Sequence, residues 1–389
     1  MRVLHLYNSH RGGGGSDNAW AETIRHSREA GIEVEVLARS SRDVPQGLAG
    51  QLGAALSGIR SASAIADTRA AIARFRPDVV HTHELYPLLS PQVIRAAAGM
   101  GVPVVHACYD YRLTCPVATH FRAGAICRQC VDGHEYRAAL RNCRDNRAES
   151  IAYAARNMAA RVSGVFRNHV AVFQVFSAFQ ASWLNADVAI GPDRIVVTPV
   201  VIPTPAEAAD AAEGGYIAYA GRFVPEKGVE MLIEASRRTG LPVRLAGNAA
   251  THPALRPGDN VQCVMTRTRD ELAAFYRGAR ALAVPSLWNE TFCIVAAEAM
   301  SHGVPVLAAR VGALSNLVTP GETGLLFELG DVAGLADAMQ RVWNDPLLAR
   351  RLGRAARTHV ERSFNAQVHM DQLRSAYERA LQRGVTPPR

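Results

Sequence analysis

Lys227 is the only lysine among the 43 Lys and Arg residues of this chain; every other side chain with a permanent positive charge is arginine. A compact ammonium kept in such a background marks a position where a planar guanidinium would serve less well. It stands in Ala220-Gly221-Arg222-Phe223-Val224-Pro225-Glu226-Lys227-Gly228. Gly221 allows a ligand close to the backbone. Arg222 can grip phosphate oxygens with two parallel hydrogen bonds. Lys227 adds a point charge near the start of a helix, itself suited to anions. Together these residues can clamp a diphosphate; charges scattered on a strand-to-helix turn are the alternative.

A second group is Asn289-Glu290-Thr291-Phe292-Cys293, followed by Glu298. A helix opening near Thr291 would set Glu290 and Glu298 roughly 12 Å apart along its axis. Each carboxylate could then accept from a different pair of hydroxyls. The N–H groups of Thr291, Phe292 and Cys293 would face an anion. An ordinary acid near a positive helix end would also explain Glu290. Glu298 sits among Ala296, Ala297, Ala299 and Met300, where a carboxylate without partners is costly.

The first half of the chain carries weaker signals. Gly12-Gly13-Gly14-Gly15-Ser16 is a glycine loop, yet Asp17 stands where a dinucleotide fingerprint needs its third glycine, so that motif fails. His81 and His83 follow a strand and are as consistent with structural as with functional histidines. Cys115, Cys127, Cys130 and Cys143 fall in one stretch with the pattern C-x11-C-x2-C-x12-C. Structural zinc, thiols without partners and disulfides all remain open for them. Cys108, Cys263 and Cys293 look unpartnered. Between Arg122 and Arg167 there are nine arginines against four acids, either a solvated helix and loop or an attractor of anionic lipid, phosphate or nucleic acid.

The elements that must position these groups alternate strand and helix. Strands are predicted at Val3–Tyr7, Glu33–Ala38, Asp78–His81, Pro103–His106, Val170–Val175 and Ile195–Val197, with helices at Ser16–Ala30, Ala62–Phe75, Ser90–Gly101 and Ala152–Val165. A second series runs through Tyr216–Ala220, Val243–Ala246, Val261–Val264, Ala281–Val284 and Val304–Ala308. Short apolar runs between amphipathic helices predict doubly wound α/β sheets, with ligands outside the carboxyl ends of the strands. At 389 residues, two domains are expected: 1–203, carrying a Cys-rich insertion at 108–145, and 216–365. Residues 204–215 read as a linker, and 366–389 as a terminal helix returning to the first domain. No apolar run reaches membrane-span length, and the first residues read as a strand instead of a signal peptide. A cytoplasmic protein is expected, with peripheral contact at the inner membrane face.

Four segments of the second domain carry a family pattern: Gly221-Arg222-x-x-Pro225-Glu226-Lys227-Gly228; Pro285-Ser286-x-x-Asn289-Glu290-x-Phe292; Glu298-Ala299-Met300-x-x-Gly303-x-Pro305-Val306; and Gly321-x-Thr323-Gly324-Leu325-Leu326-Phe327. With Val80-His81-x-His83 and Asp110-Tyr111-Arg112 in the first domain, the chain resembles the GT-B, family-4-like retaining glycosyltransferases. The resemblance implies two Rossmann-like domains facing across a cleft. It implies transfer of a sugar from a nucleoside-diphosphate sugar, UDP-linked, to a saccharide or lipid-linked glycan. Arg222 and Lys227 would hold the diphosphate as it leaves, so no catalytic metal is expected. Glu290, with Asn289 and the backbone of Thr291, Phe292 and Cys293, would hold the donor sugar, and Glu298 the ribose. Gly14, Gly15 and Gly221 would approach the donor, and Met265, with Gly247-Asn248, would line the base. The family commonly has His where this chain has Tyr109, and that side chain contacts the transferred sugar. A phenol can replace a hydrogen bond there but not a protonatable imidazole. Two other readings compete: a nucleotide-sugar epimerase or hydrolase on the same fold, and a zinc- and arginine-based nucleic-acid module. The second leaves the diphosphate clamp without a purpose, and lacks interleaved aromatics.

Overall fold

The computed structural model describes residues 1–9, 14–248, 250, 252, 255–256 and 258–385. The chain divides into two compact units. Unit one comprises Met1–His120, Arg128–Val201 and Ala366–Arg389; unit two comprises Phe121–Cys127 and Ile202–Asn365.

The strands are β1 (Arg2–Ser9), β2 (Glu33–Ser40), β3 (Val79–Thr82), β4 (Val104–Ala107), β5 (Phe121–Arg122), β6 (Ala125–Ile126), β7 (Val172–Val175) and β8 (Ile195–Val197). Then follow β9 (Tyr216–Ala220), β10 (Val243–Ala246), β11 (Val261–Val264), β12 (Ala279–Val284), β13 (Val306–Ala309) and β14 (Gly324–Phe327). The helices of the first half are α1 (Gly15–Glu29), α2 (Leu48–Ile59), α3 (Ala62–Phe75), α4 (Gln92–Ala98), α5 (Tyr136–Leu140), α6 (Arg147–Val162), α7 (Val165–His169) and α8 (Ala178–Asp187). Those of the second half are α9 (Val229–Thr239), α10 (Arg269–Arg277), α11 (Ile294–Ser301), α12 (Leu314–Leu317), α13 (Val332–Asn344), α14 (Pro346–Ser363) and α15 (Ala366–Arg383).

Unit one is built on a six-stranded sheet in the order β2-β1-β3-β4-β7-β8, and unit two on one in the order β11-β10-β9-β12-β13-β14. All neighbouring strands in both sheets are parallel. The predicted α/β class with two doubly wound sheets is what the chain adopts. The inner strands are apolar on both faces, as a covered parallel sheet requires: β3, β4, β7, β9 and β13 are buried along their whole length. Helix starts are set by side-chain caps. Ser61 accepts from the N–H of Ala64, Asn146 from Glu149 and Ser177 from Gln180, and a capping box joins Thr268 to Glu271.

Three local expectations change. Helix α2 and strand β14 were not foreseen: α2 is rich in glycine and β14 is four residues long. Helix α11 opens at Ile294 instead of near Thr291, because Cys293 takes a left-handed conformation (φ 76°) as its N-cap. The 12 Å helical spacing between Glu290 and Glu298 therefore does not apply, since Glu290 lies outside the helix. The stretch 204–215 is also anchored to unit two. Ala209 N–H donates to His302 O at 2.7 Å, Arg350 pairs with Asp210 at 2.6 Å and Arg357 donates to Pro205 O at 2.7 Å.

Helix α15 belongs to unit one. Leu373, Ala376, Tyr377 and Ala380 join Val3, Val79, Val105, Val172 and Val196 in one core. No helix among the described residues is long and apolar enough to cross a membrane.

Candidate active site

In unit two, the turn after β9 and the loop after β12 meet. The Lys227 ammonium donates to both carboxylate oxygens of Glu290, at 2.8 and 3.0 Å. Ser286 Oγ donates to Glu290 Oε1 at 2.6 Å, and the Trp288 ring centroid lies 5.1 Å from the ammonium. Burial by itself pushes the Glu290 carboxyl up. The Lys227 charge, with hydrogen bonds from Lys227 and Ser286, outweighs burial and holds it below its ordinary range. Glu290 is thus a buried, ionised carboxylate.

The backbone around this pair is tightly drawn. Leu287 N–H donates to Glu226 O at 2.8 Å, and Ala313 N–H to Glu290 O at 2.9 Å. Gly228 has φ +66°, and a Cβ there would stand 1.9 Å from Pro285 O. Gly312 likewise leaves room for the Glu290 backbone, 2.5 Å from where its Cβ would be. A Gly228→Ala variant must both strain its backbone and push the two loops apart. Its expected destabilisation is about 2 kcal/mol or more, with a loss of whatever activity the two loops support. Denaturant unfolding and kinetics check this, and an unchanged variant would refute the close approach.

Arg222 is exposed, and its guanidinium makes no hydrogen bond or ion pair among the described residues. Its carbonyl is pinned by Tyr219 Oη at 2.8 Å, and Gly221 N–H donates to Ala246 O at 3.0 Å. The N–H groups of Thr291, Phe292 and Cys293 donate to no acceptor among the described residues. A left-handed Cys293, and not a regular helix start, ends this run of unpaired donors. Burial, followed by the Glu290 charge, pushes the Cys293 thiol up to about 12, so it stays protonated. Asn289 is half-buried.

Glu298 lies on α11 and accepts from Tyr276 Oη of α10 at 3.1 Å. Burial raises its carboxyl; Tyr276 and the Arg269 charge pull the other way without cancelling it. Tyr276 carried no sequence signal, since its role follows from α10 packing beside α11. Ser286 stood in a quoted motif without a role, and Trp288 fell at one of that motif's unspecified positions. Met265, 57% exposed, follows β11.

Unit one has its own constellation at the ends of β3 and β4. Tyr109 Oη and His83 Nδ1 share a hydrogen bond of 3.0 Å, and His83 Nε2 lies 2.9 Å from His5 Nδ1. His81 Nδ1 bonds Tyr377 Oη at 2.9 Å. Burial lowers all three histidines, His5 to about 3, so they are neutral links in a dry stack. Among the described residues they form the one group of three or more His, Cys, Asp or Glu side chains with ligand atoms within 4.8 Å of one another. Nearby, Arg112 bridges Glu84 at 2.5 Å and Asp110 at 2.7 Å. Burial, against the Arg112 charge, raises the Asp110 carboxyl. This triad was missed, although the i, i+2 spacing of Asp110 and Arg112 was its signal. It borders a cavity of about 520 Å³, lined also by His106, Tyr109, Arg161 and Arg167. Gly14 caps α1 and Gly15 opens it; Gly12 and Gly13 lie outside the described residues.

No three of Cys115, Cys127, Cys130 and Cys143 bring their sulfurs within 4.8 Å of one another, and none forms a disulfide. Three of them sit in separate local turns. Cys115 N–H donates to Tyr111 O and Cys143 N–H to Ala138 O, while Cys130 precedes the turn Val131–Gly133.

Two family models match this chain: "Glycosyl transferase 4-like domain" over residues 14–201 and "Glycosyl transferases group 1" over residues 205–359. Among curated relatives, the D-inositol 3-phosphate glycosyltransferase of Stackebrandtia nassauensis is 32% identical over 230 residues, 51% of this chain and 52% of that protein. The MMP alpha-(1->4)-mannosyltransferase of Mycolicibacterium hassiacum is 32% identical over 223 residues, 53% of this chain and 54% of that protein. The chain thus matches about half the length of these curated relatives. Sucrose-phosphate synthase from Thermosynechococcus elongatus superposes with a TM-score of 0.70 at 20% identity, covering 98% of this chain and 100% of that one. Anabaena HepE, solved in complex with UDP and glucose, gives 0.64 at 17% identity, covering 97% and 100%. With one model on each half and this fold throughout, the chain belongs to the family-4-like glycosyltransferases of GT-B fold.

Proposed function

We propose that this protein is a retaining glycosyltransferase that moves a sugar from a nucleoside-diphosphate sugar, UDP-linked, to a saccharide or lipid-linked glycan. The observation that carries the reading is in unit two: an ammonium and a buried carboxylate held together beside an uncommitted guanidinium and a row of unpaired N–H donors.

Lys227 and Arg222 neutralise the diphosphate, and charge developing on it as the glycosidic bond breaks is met by donors already in place. In this reading those two cations do the work without a catalytic metal. Glu290, kept ionised by Lys227, accepts from donor-sugar hydroxyls. Asn289 and the N–H groups of Thr291, Phe292 and Cys293 complete that grip. Glu298, oriented by Tyr276, accepts from the ribose hydroxyls. The base lies toward Met265. The acceptor occupies the unit-one cavity, and its hydroxyl attacks the sugar on the face from which the diphosphate leaves. Tyr109, steadied by His83, offers its phenol to the transferred sugar, and the backbone at Gly14 and Gly15 approaches the donor. The UDP assignment is supported by the fold shared with HepE, whose structure holds UDP and glucose.

A thermal-shift screen of UDP-, GDP-, ADP- and dTDP-sugars tests the reading. A ligand at about 100 times its Kd stabilises the native state by about 2.7 kcal/mol, and a UDP-sugar is expected to do so. No shift with any nucleotide sugar would refute it.

A further inference from the structure

Among the described residues, five of the thirteen exposed large apolar side chains lie within 27 consecutive residues: Tyr136, Leu140, Ile151, Met158 and Val162, each 46–78% exposed. They are not scattered. Ile151, Met158 and Val162 are seven and four residues apart on α6, so they fall within a narrow stripe of one helix face. Ser150, Ala154, Asn157 and Ala160 are buried on the same helix. Tyr136 and Leu140 are four apart on α5, which packs beside α6. Neighbouring apolar side chains left in water over two adjacent helices mark a surface that something covers.

The charge around this face says what covers it. Residues 136–162 hold six arginines against Asp145 and Glu149. Arg156 turns inward between Tyr86 and Tyr153, while Arg141, Arg144, Arg147 and Arg161 are exposed. A second copy would bring the same positive charge against itself. An apolar stripe rimmed by guanidinium groups fits an anionic bilayer surface: the hydrocarbon side chains enter the headgroup boundary and the arginines meet lipid phosphates.

We propose that the α5–α6 face docks unit one on anionic lipid. Its position relative to the cavity gives the docking a use. Arg161 is exposed and lines the cavity, and Glu135, Ala160, Gly164 and Arg167 line it from the same segment. The face that meets lipid is therefore beside the cavity's rim. An acceptor carried on a membrane lipid would arrive there without crossing water. Docking itself does not depend on the transfer reading, since it is measured without donor or acceptor.

The test is flotation of the full chain with vesicles of phosphatidylglycerol and, separately, of phosphatidylcholine. The native chain is expected on the anionic vesicles and not on the zwitterionic ones. Leu140→Glu with Val162→Glu, both at exposed positions, is expected to reduce the bound fraction about tenfold or more. Arg141→Gln with Arg147→Gln is expected to weaken binding at low salt and flatten its salt dependence. Circular dichroism and the donor thermal shift of these variants should match the native chain. Equal flotation of native and glutamate variants would overturn the proposal. So would binding to both vesicle types alike, or a native dimer that the glutamate variant converts to monomer, which would show a second copy covering the face.

Discussion

Lys227→Met is expected to lower kcat/KM by about 10²–10³-fold and to destabilise unit two by about 3 kcal/mol. The two effects have different origins. Activity falls because the diphosphate loses its ammonium. Stability falls because Glu290, buried and bonded to Lys227 at 2.8 and 3.0 Å, is left as a carboxylate without its counter-charge. Lys227 keeps 21% of its side chain in solvent, so the lower end of the buried-pair range applies. Glu290→Gln separates the two. The amide is neutral, and Lys227 can reach water, so stability should fall less while the grip on the sugar weakens. The double variant Lys227→Met with Glu290→Gln should recover most of the lost stability and none of the activity. Denaturant midpoints and initial rates give both readings. Full additivity in stability would show that the pair is not coupled. The pair also predicts an acid limb. The folded-state Glu290 carboxyl is lower than its ordinary value, so its stabilising contribution is present above the ordinary carboxylate range and is lost as pH falls through that depressed value. The double variant should lack this limb.

Glu298→Ala is expected to weaken nucleotide-sugar binding by about 10- to 100-fold, the value of hydrogen bonds to a charged acceptor. Calorimetric titration with UDP measures it; an unchanged Kd would remove Glu298 from the site. The neighbouring phenol gives a sharper test. In the proposed site Glu298 would accept ribose hydroxyls best when ionised, and its carboxyl is raised by burial and drawn back by Tyr276. Nucleotide affinity should therefore decline as pH falls through a value above the ordinary glutamate range. Tyr276→Phe removes the hydrogen bond at 3.1 Å that favours the carboxylate, so the decline should begin at higher pH. Without ligand the linkage runs the other way: the raised carboxyl of Glu298 is better tolerated when protonated, so its share of stability diminishes as pH rises through the raised value. A Tyr276→Phe variant with the native pH profile would show that Tyr276 does not act through Glu298.

The architecture was legible because parallel, doubly covered strands leave an unmistakable trace. Tyr216–Ala220, Val243–Ala246 and Val261–Val264 are predicted residue for residue, since each is a short apolar run ended by a turn. Lys227 and Glu290 stood out as residue types in improbable surroundings, and the structure joins them directly. Their pairing was not legible, because 63 positions separate them and only the adjacency of β9 and β12 closes that distance. The start of α11 was misplaced for a local reason: nothing in Thr291-Phe292-Cys293 announces a cysteine with φ 76°. Tyr276 and the Arg112–Glu84–Asp110 bridge depend on neighbours from other elements, which periodicity does not report. The cysteine spacing is evidence of a metal site only when the backbone folds all four cysteines together, and periodicity does not report that.

Helix α15 has a bearing on biosynthesis. Its Leu373, Ala376 and Tyr377 are fully enclosed in a core whose other walls are β-strands from residues 3 to 196. The amino-terminal half cannot finish packing while the ribosome is still making the carboxyl-terminal half. It must wait, with an open apolar seam beneath its sheet, until α15 has itself left the ribosome. A chain that stops at residue 365 would keep every side chain of the proposed donor site and yet leave His81 without its Tyr377 partner. Such a fragment should aggregate, and the missing helix supplied as a separate peptide should rescue it.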